Sequence, residues 1–391
     1  MRVFIAGMDG YIGWPLAMYL ASRGHEVGGA DLFFRRAWVE EVGSWSAIPI
    51  RPIEERLEAF EEAFGKQIAF FEGDLRNSDF VHGCFESFRP EAIVHLGEQP
   101  SAPYSMIDLE RTTFTQLNNV QGTLNILYAL RAICPEAHLV KLGTMGEYGT
   151  PNVPIPEGFF EVEYRGRKDT LPFPRQPGSF YHLSKVHDSH NIMLACKIWG
   201  IRSTDLMQGV VYGTWTDETQ ADERLVTRFD FDGVFGTVVN RFCVQADIGY
   251  PLSVYGTGGQ TRGYINLRDS LRCMELAIEN PPERGEYRVF NQFTEIFSVR
   301  KIAENVKEAA ERLGIRVHID HLENPRVELE EHFYEADNRR LLDLGLEPHK
   351  MVGALEGMLK DLMIYREREA AREDAIAPNV WWSRVLERAS D

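Results

Sequence analysis

The alternation of short apolar strands with helical segments constrains this chain more than any other feature. Residues 2–7 are predicted to form a buried strand, a helical pattern extends to about residue 23, and residues 25–31 form a second predicted strand. The pattern continues with predicted strands at residues 68–74, 92–98, 138–144 and 201–208 and a predicted helix at residues 180–199. Repeated strand–helix units build a parallel sheet with helices on both faces, and ligands bind beyond the carboxyl ends of its strands. The sequence therefore predicts an α/β fold with a doubly wound parallel sheet.

A glycine-rich turn follows the first predicted strand. Gly7, Gly10 and Gly13 allow tight backbone geometry there and let a pyrophosphate approach the helix N-terminus. Their Gly-x-x-Gly-x-x-Gly spacing differs from the simplest dinucleotide fingerprint, so an ordinary turn is the alternative. The other predicted strands end at small or polar residues, namely Asp31, Asp74, Gly97 and Thr144. This coincidence favours a Rossmann-type nucleotide-binding site.

Asp31 closes the second predicted strand, 18 residues after Gly13. A carboxylate at this position can accept hydrogen bonds from both hydroxyls of an adenosine ribose, and it would repel a 2′-phosphate. Arg35 and Arg36 are a signal in the other direction, because they could hold a phosphate, although solvated surface arginines are the plainer interpretation. Asp31 takes precedence, so the predicted cofactor is NAD rather than NADP.

Tyr181 and Lys185 stand four residues apart in the predicted helix, so they lie on one helix face. Free tyrosine ionises near pH ~10, and a neighbouring lysine cation favours the ionised phenol. Such pairs are common on solvated helix faces and carry little weight alone. Thr144, at the end of an upstream strand, adds a hydroxyl at the ligand-binding edge of the sheet. The three residues together predict a catalytic site.

Composition and charge argue against several kinds of partner. The chain has 42 basic and 59 acidic side chains, and its net charge of −17 argues against nucleic acid or an anionic membrane. No apolar run reaches the ~18 residues of a membrane span. The first strand begins at Arg2, so a cytoplasmic protein without a targeting segment is expected. Five scattered cysteines indicate buried thiols in a reducing compartment.

His187, Asp188 and His190 lack a further ligand at metal-site spacing, so no metal is predicted.

The strand–helix alternation also divides the chain into two domains. Residues 1–212 are predicted to form the NAD-binding domain, with returns to its sheet near residues 237–250 and 286–292. Residues 213–391 are predicted to form mainly a smaller mixed domain that binds the substrate.

Two segments lack a clear period. Residues 146–178 hold six prolines, as is typical of a lid or binding element beside a site. The end of the chain, after about residue 370, includes Trp381 and Trp382 and supports no prediction.

With these motifs in this order, the chain resembles the extended short-chain dehydrogenases that act on nucleotide sugars. Several segments are similar to those of the UDP-sulfoquinovose synthase family, namely residues 97–108, 138–152, 179–191, 208–213, 235–246, 255–264, 289–299 and 324–328. The similarity extends from residue 1 to about residue 350. One departure is visible, because Pro100 stands where the family segment has an arginine. A cationic contact to the sugar or to sulfite is therefore missing or supplied by another residue.

The resemblance implies conversion of UDP-glucose and sulfite to UDP-sulfoquinovose with tightly held NAD. It also implies a homodimer, in which helices near residues 115–133 and 180–199 pack against a twofold mate. It leaves open whether a partner enzyme hands over the sulfite. Other nucleotide-sugar reactions, 4-epimerisation or 4,6-dehydration, are the alternatives within enzymes. A non-catalytic NAD sensor on the same fold is disfavoured, because such proteins commonly lose the tyrosine or the lysine.

The resemblance also implies roles for individual residues. Tyr181, supported by Lys185, takes the proton of the C4 hydroxyl while hydride passes to NAD, and Thr144 orients that hydroxyl. Water is then eliminated from C5 and C6, sulfite adds at C6, and hydride returns to C4. Nucleotide-sugar 4,6-dehydratases place an acidic pair directly after the threonine, where this chain has Met145 and Gly146. His182, next to Tyr181, is therefore the first candidate for acid–base work at C5, and Glu147 is the second. A pocket-wall role for His182 and a ribose or loop contact for Glu147 are the alternatives.

Motifs and resemblance together define the predicted contacts. The predicted NAD contacts are Gly7, Gly10, Tyr11, Ile12, Gly13, Asp31, Arg35, Arg36, Asp74, Leu75, Gly97, Gln99, Asn119, Tyr181, Lys185, Gln208 and Val211. The predicted substrate contacts are Ser101, Thr144, Gln208, Arg241, Gln260, Arg262, Asn291 and Arg326. Guanidinium groups suit a diphosphate because they donate paired hydrogen bonds.

Overall fold

The computed structural model describes residues 1–383 of the chain. Its strands are β1 (Arg2–Ala6), β2 (Glu26–Asp31), β3 (Ile68–Glu72), β4 (Ala92–His95), β5 (His138–Thr144), β6 (Phe159–Tyr164), β7 (Arg167–Pro172), β8 (Arg202–Gln208), β9 (Val210–Tyr212), β10 (Leu252–Tyr255), β11 (Thr261–Asn266), β12 (Tyr287–Gln292), β13 (Glu295–Ser298) and β14 (Ile319–Leu322). Its α-helices are α1 (Gly13–Ser22), α2 (Phe34–Glu41), α3 (Ile53–Phe64), α4 (Ser78–Phe88), α5 (Leu109–Gln116), α6 (Gly122–Ile133), α7 (Phe180–Trp199), α8 (Val238–Ile248), α9 (Leu267–Glu279), α10 (Val299–Arg312), α11 (Arg339–Asp343), α12 (Met351–Met363) and α13 (Arg366–Ala370).

Seven of these strands form one parallel sheet in the order β12-β8-β5-β4-β1-β2-β3. The strand order reverses between β1 and β4, which is the topology of a doubly wound dinucleotide-binding sheet. The predicted α/β fold is therefore confirmed. The reversal places a crevice beyond the carboxyl ends of β1 and β4.

Helices cover both faces of the sheet. Successive side chains of a strand point to opposite faces, so each strand contributes apolar side chains to both. Val3 and Ile5 of β1 pack with α1 and α9 on one face. Phe4 and Ala6 pack with α4, α6 and α7 on the other face. Each large apolar side chain buried in this way contributes about 1.5–3 kcal/mol, and this burial holds the strand ends that form the site.

The smaller domain packs α8, α10 and α12 around two small sheets, the parallel pair β10–β14 and the mixed sheet β13-β11-β9. The expected return to the main sheet near residues 286–292 is confirmed, since β12 pairs in parallel with β8. The return expected near residues 237–250 is wrong, because this segment forms the buried helix α8. Strand-favouring valine, threonine and phenylalanine are frequent in this segment, but α8 buries most of them together with Asn240, Arg241, Gln245 and Asp247. The division at residue 212 stays a prediction.

The proline-rich segment of residues 146–178 forms an antiparallel hairpin, β6–β7. Phe173 anchors this segment against Tyr148, with ring centroids 5.8 Å apart. Arg175 ties its end to Glu147 through a buried ion pair.

Within residues 1–383, no helix is long and apolar enough to cross a membrane. All five cysteines are free thiols, and four of them are buried.

Candidate active site

A cavity of about 600 Å³ lies at the carboxyl ends of the parallel strands and extends into the smaller domain. Its size suits a small-molecule ligand. Of the predicted contacts, those that line it are Gly7, Gly10, Tyr11, Ile12, Gly13, Asp31, Arg35, Asp74, Leu75, Gly97, Ser101, Thr144, Tyr181, His182, Lys185, Gln208, Val211, Arg241, Gln260, Arg262 and Arg326. Most predicted site residues therefore share one cavity.

The glycine turn forms the floor of one end of the cavity. Gly7 has a φ of +88°, which favours glycine, and a Cβ added there would lie 2.6 Å from Gly97 N. A Cβ at Gly13 would lie 2.1 Å from Gly7 O. The first turn of α1 can therefore pack against the β1 turn only without side chains, which leaves its backbone open to a pyrophosphate.

Asp31 stands at the end of β2 beside this turn. Its Oδ2 accepts a hydrogen bond from Asp9 N at 2.8 Å and its Oδ1 accepts one from Phe33 N at 2.8 Å. Burial, and then the charge of Asp9, raise the pKa of Asp31 to about 6. The carboxylate is thus held in place and ionised at neutral pH, as a ribose acceptor must be.

Arg35 and Arg36 are paired with carboxylates rather than solvated. Arg36 forms an ion pair with Asp9 at 2.7 Å and does not line the cavity. Arg35 pairs with Asp230 at 2.7 Å and stands 4.1 Å from the ring centroid of Phe235. Both guanidinium groups are thus already compensated by carboxylates, and the cofactor contact of Arg36 stays a prediction.

Thr144, Tyr181 and Lys185 all line the cavity. Thr144 ends β5, and its Oγ1 accepts a hydrogen bond from Gly146 N at 3.1 Å. Ser179 caps α7 by accepting a hydrogen bond from His182 N at 3.2 Å. Because the cap starts the helix at this point, Tyr181 and Lys185 both face the cavity. Tyr181 N donates to Ser105 Oγ at 3.0 Å, which fixes the start of the helix against the loop after β4.

The ammonium group of Lys185 is engaged by a residue that the sequence analysis missed. Lys185 Nζ forms a buried ion pair with Glu98 and donates to Leu142 O at 2.5 Å. Burial first, and then Glu98 and Glu147, raise the pKa of the Tyr181 phenol above its ordinary value. Support of the phenolate by Lys185 therefore stays a prediction.

His182 faces the cavity next to Tyr181. Its Nδ1 lies 2.9 Å from Ser179 Oγ, and its Nε2 would lie 2.3 Å from a Cβ at Gly146. Burial, followed by the charges of Arg326 and Arg262, lowers the pKa of His182 to about 3. The ring is therefore neutral at neutral pH, and the lowered pKa makes it a weaker base than a free imidazole.

Glu147 lies behind the cavity wall and does not line it. Its carboxylate is fully buried, pairs with Arg175, and lies 3.4 Å from Lys141 Nζ. Thr144 N donates to its Oε1 at 3.3 Å. The turn after β5 directs the Glu147 side chain inward, where it completes a capping box, so its role as an acid–base residue or ribose contact stays a prediction that the cavity lining does not support.

Three predicted contacts are buried and hydrogen-bonded within the protein instead of lining the cavity. Gln99 N donates to Asn119 Oδ1 at 2.8 Å, and Asn119 Nδ2 donates to Ser184 Oγ at 2.9 Å. Asn291 Nδ2 donates to Asp337 O at 2.7 Å. These residues are engaged in hydrogen bonds within the protein, so their assignment as cofactor or substrate contacts stays a prediction that the cavity lining does not support.

The far end of the cavity carries three arginines. Arg262 pairs with Glu328 at 2.5 Å, and its Nη1 lies 2.9 Å from His332 Nε2. Arg241 stands 4.7 Å from the ring centroid of Tyr255. Burial, partly offset by Glu328, lowers the pKa of Arg326. An anionic ligand would offset the desolvation of the Arg326 cation, whereas the charge of Arg262 is already balanced by Glu328.

Other predicted substrate contacts are anchored in the cavity wall. Ser101 Oγ donates to Val234 O at 2.6 Å, Gln208 Nε2 donates to Ser270 Oγ at 2.9 Å, and Gln260 Nε2 donates to Tyr255 O at 3.3 Å. Pro100 also lines the cavity. These bonds hold the side chains against the wall and leave the interior to a ligand.

Glu98 and Trp382 are among the lining residues that sequence reasoning missed. Glu98 directly follows an apolar strand, and this position was a usable signal for a carboxylate at a strand end. Trp382 belongs to the chain end that supported no prediction. Its backbone N–H donates to Pro325 O at 3.0 Å, and the Arg326 guanidinium lies 5.6 Å from its ring centroid.

A model of the NAD dependent epimerase/dehydratase family matches residues 3–291. The chain therefore belongs to this family, and NAD is its cofactor. The chain is 51% identical to the chloroplastic UDP-sulfoquinovose synthase of Spinacia oleracea over 98% of its own length and 80% of that protein. It is 48% identical to the UDP-sulfoquinovose synthase of Sulfolobus acidocaldarius, with 98% of each chain covered. Within the family, the chain groups with the UDP-sulfoquinovose synthases.

Solved structures share the fold at low sequence identity. UDP-glucose 4-epimerase from Thermotoga maritima, solved with UDP-glucose, superposes with a TM-score of 0.68 at 19% identity, over 95% of this chain and all of that one. UDP-glucose 4-epimerase from Thermus thermophilus, solved with NAD, gives a TM-score of 0.65 at 23% identity, over 93% and 99% of the two chains. Likeness at this level establishes the architecture alone.

Proposed function

We propose that this protein converts UDP-glucose and sulfite to UDP-sulfoquinovose in a redox-neutral cycle with NAD. The observation that carries the proposal is the meeting of Thr144, Tyr181 and His182 with the ribose-binding carboxylate of Asp31 in one cavity. Identities of 51% and 48% to UDP-sulfoquinovose synthases, over 98% of the chain, support the same substrates. The arginines at the far end of the cavity suit the diphosphate of the nucleotide sugar.

Tyr181 and Thr144 act at the C4 hydroxyl of the glucose ring. Bound NAD supplies a hydride acceptor for C4 at the start of the cycle and a hydride donor at its end. The Tyr181 phenolate takes the hydroxyl proton, and Thr144 orients the hydroxyl by hydrogen bonding. The C4 ketone makes the hydrogen on C5 acidic, so water can be eliminated from C5 and C6.

His182 is the acid–base residue for the elimination. Its neutral imidazole accepts the C5 proton and passes it to the departing C6 hydroxyl, which leaves as water. Sulfite then bonds through sulfur to C6 of the C5=C6 double bond, and the proton that bisulfite brings ends on C5. Reduction of the C4 ketone completes the cycle. C6 exchanges a hydroxyl for a sulfonate, with water as the other product.

The direct test incubates the purified protein with UDP-glucose in the presence and absence of sulfite. A new, more acidic nucleotide sugar is expected only with sulfite. UDP-galactose in both incubations would identify a 4-epimerase, and a 4-keto-6-deoxy sugar without sulfite would identify a 4,6-dehydratase. Tyr181→Phe should lower turnover by about 10²–10⁴-fold, whereas Tyr164→Phe, at an exposed tyrosine of the β6–β7 hairpin, should leave it unchanged.

A homodimer through α6 and α7 is part of the proposal. Adjacent helices expose Leu117, Tyr128, Leu194 and Ile198, whose relative exposures are 53–56%. An apolar surface on two packed helices suits a second copy of the chain. Leu194→Asp combined with Ile198→Asp should convert the dimer to monomer in sedimentation velocity runs, and an unchanged sedimentation coefficient would contradict this interface.

Two further expectations remain proposals. A cytoplasmic location rests on composition, and delivery of sulfite by a partner enzyme rests on the resemblance. Sulfite supplied free in the incubation separates delivery from chemistry, because turnover at low free sulfite would make a donating partner unnecessary.

A further inference from the structure

Glu98 lines the same cavity as Tyr181 and pairs with Lys185. It follows β4, lines the cavity, and is 8% exposed. Its Oε2 forms the buried ion pair with Lys185 Nζ, and its Oε1 lies 3.5 Å from His95 Nε2. Both partners of the ion pair are almost inaccessible to water, so the lysine charge is compensated inside the wall.

This pairing changes what the lysine can do for the phenol. Burial alone lowers the pKa of Lys185, but Glu98 more than offsets this effect and keeps the ammonium charged. A carboxylate that compensates the ammonium also repels a negative charge on the Tyr181 oxygen. The cation next to the phenol is therefore balanced by an anion that acts on the same oxygen.

The other charged groups around this pair largely cancel. Burial lowers the pKa of His95 to about 4, so its ring is neutral. Burial, and then Glu98, raise the pKa of Asp188 on α7, which favours its uncharged form. Lys141 of β5 pairs with Glu147 and with Asp205 at 3.4 and 3.7 Å. The Arg35 cation of α2, which also acts on the phenol, is paired with Asp230.

We propose that Glu98 is a positioning residue that holds the Lys185 ammonium against the cavity wall and thereby sets the pH at which Tyr181 ionises. This inference rests on the proposed function only in giving Tyr181 the role of base. Glu98 touches neither reacting atom in this assignment and acts through Lys185 and through its own charge.

The test is a spectroscopic pH titration of the protein without cofactor, which records tyrosinate by ultraviolet difference absorption. The Tyr181 transition is identified as the one that disappears in Tyr181→Phe. Glu98→Gln keeps the shape and the hydrogen bond to Lys185 but removes the negative charge. Its Tyr181 transition is expected at least about one pH unit below that of the wild type. Glu58→Gln, at an exposed glutamate of α3, is the matched control and should titrate as the wild type does.

A Tyr181 transition in Glu98→Gln at the wild-type pH, or above it, would overturn the proposal. Glu98→Asp retains the charge but withdraws it by one methylene, so an intermediate transition is expected, and this variant keeps the test valid if the glutamine variant does not fold. The acidic limb of the kcat/KM profile should shift to lower pH in parallel. The titration needs no turnover, so a protein that fails to use UDP-glucose and sulfite would refute the proposed function and leave this inference tested separately.

Discussion

At one end of the cavity, Asp31 is held by the backbone amides of Asp9 and Phe33, and the turn beneath it contains glycines that admit no side chain. At the other end, the wall consists of side chains that the chain contributes from α8, from β11 and from the segment after β14. Arg241, Arg262 and Arg326 meet there although they are far apart in sequence. The two ends adjoin the same catalytic residues but are constructed differently.

The two ends differ in how far apart in sequence the residues that form them lie. The dinucleotide end uses backbone geometry, which a few consecutive residues determine. The substrate end uses charges held by the packing of the smaller domain. We therefore expect the first end to fail through local strain and the second through loss of single contacts, and four experiments test this contrast.

The largest effect is expected from Gly13→Ala. Its Cβ would lie 2.1 Å from Gly7 O, where neither backbone can move far. Strain of about 3 kcal/mol corresponds to a loss of ~100-fold in NAD affinity, measurable by calorimetric titration. Gly83→Ala is the control, because a Cβ there meets nothing within 4 Å. Undiminished NAD binding by Gly13→Ala would show that the turn is not the pyrophosphate site.

Arg326→Ala should act at the other end only. Loss of a charge-assisted hydrogen bond costs about 1.5–3 kcal/mol, so UDP-glucose should bind about 10- to 100-fold more weakly. NAD affinity should be unchanged in the same titration series. Arg312→Ala, at an exposed arginine paired with Glu356, should alter neither affinity. Equal losses for both ligands would contradict the separation of the two ends.

The two ends should also differ in their response to pH. Because burial and then Asp9 raise the pKa of Asp31 to about 6, its carboxylate protonates as the pH falls from 7 to 5. NAD affinity should then drop about tenfold, while UDP-glucose affinity stays constant, since arginines remain charged. The contribution of Asp31 to the folding stability of the protein without NAD depends on pH in the opposite direction. The raised pKa makes a stabilising contribution below about pH 4 that is lost as the pH rises through about 6. A flat NAD affinity between pH 7 and 5 would remove Asp31 from the ribose site.

The smallest effect is expected from Trp382→Ala. Its indole closes the substrate end beside Arg326, so its loss should raise KM for UDP-glucose by about 3- to 10-fold and leave kcat nearly unchanged. Trp382→Phe keeps an aromatic ring and should behave closer to the wild type. A fall in kcat alone would mean that the residue acts on folding or on the chemistry rather than on binding.

Most of the parallel sheet could be predicted, because strand and helix periods are local and repeated. The error at residues 237–250 arose because residues that favour strands are frequent there, and packing against α10 and α12 stabilises the helix instead. That some predicted site residues do not line the cavity has a related cause. Glu147 and Asn291 have the right chemistry and stand near strand ends, but the backbone turns their side chains into the protein. Sequence spacing does not report that direction.

The amino-acid sequence by itself determined the doubly wound sheet, the glycine turn, the carboxylate at the end of β2 and the helix face that carries Tyr181 and Lys185. These features depend on neighbours a few residues away, where backbone sterics and helical period decide. Only the tertiary structure decided that Glu98 pairs with Lys185, that Glu147 is buried and that Trp382 reaches Arg326. Such contacts join residues separated by long stretches of chain, and their energies depend on burial and charge that exist only after the domains have packed.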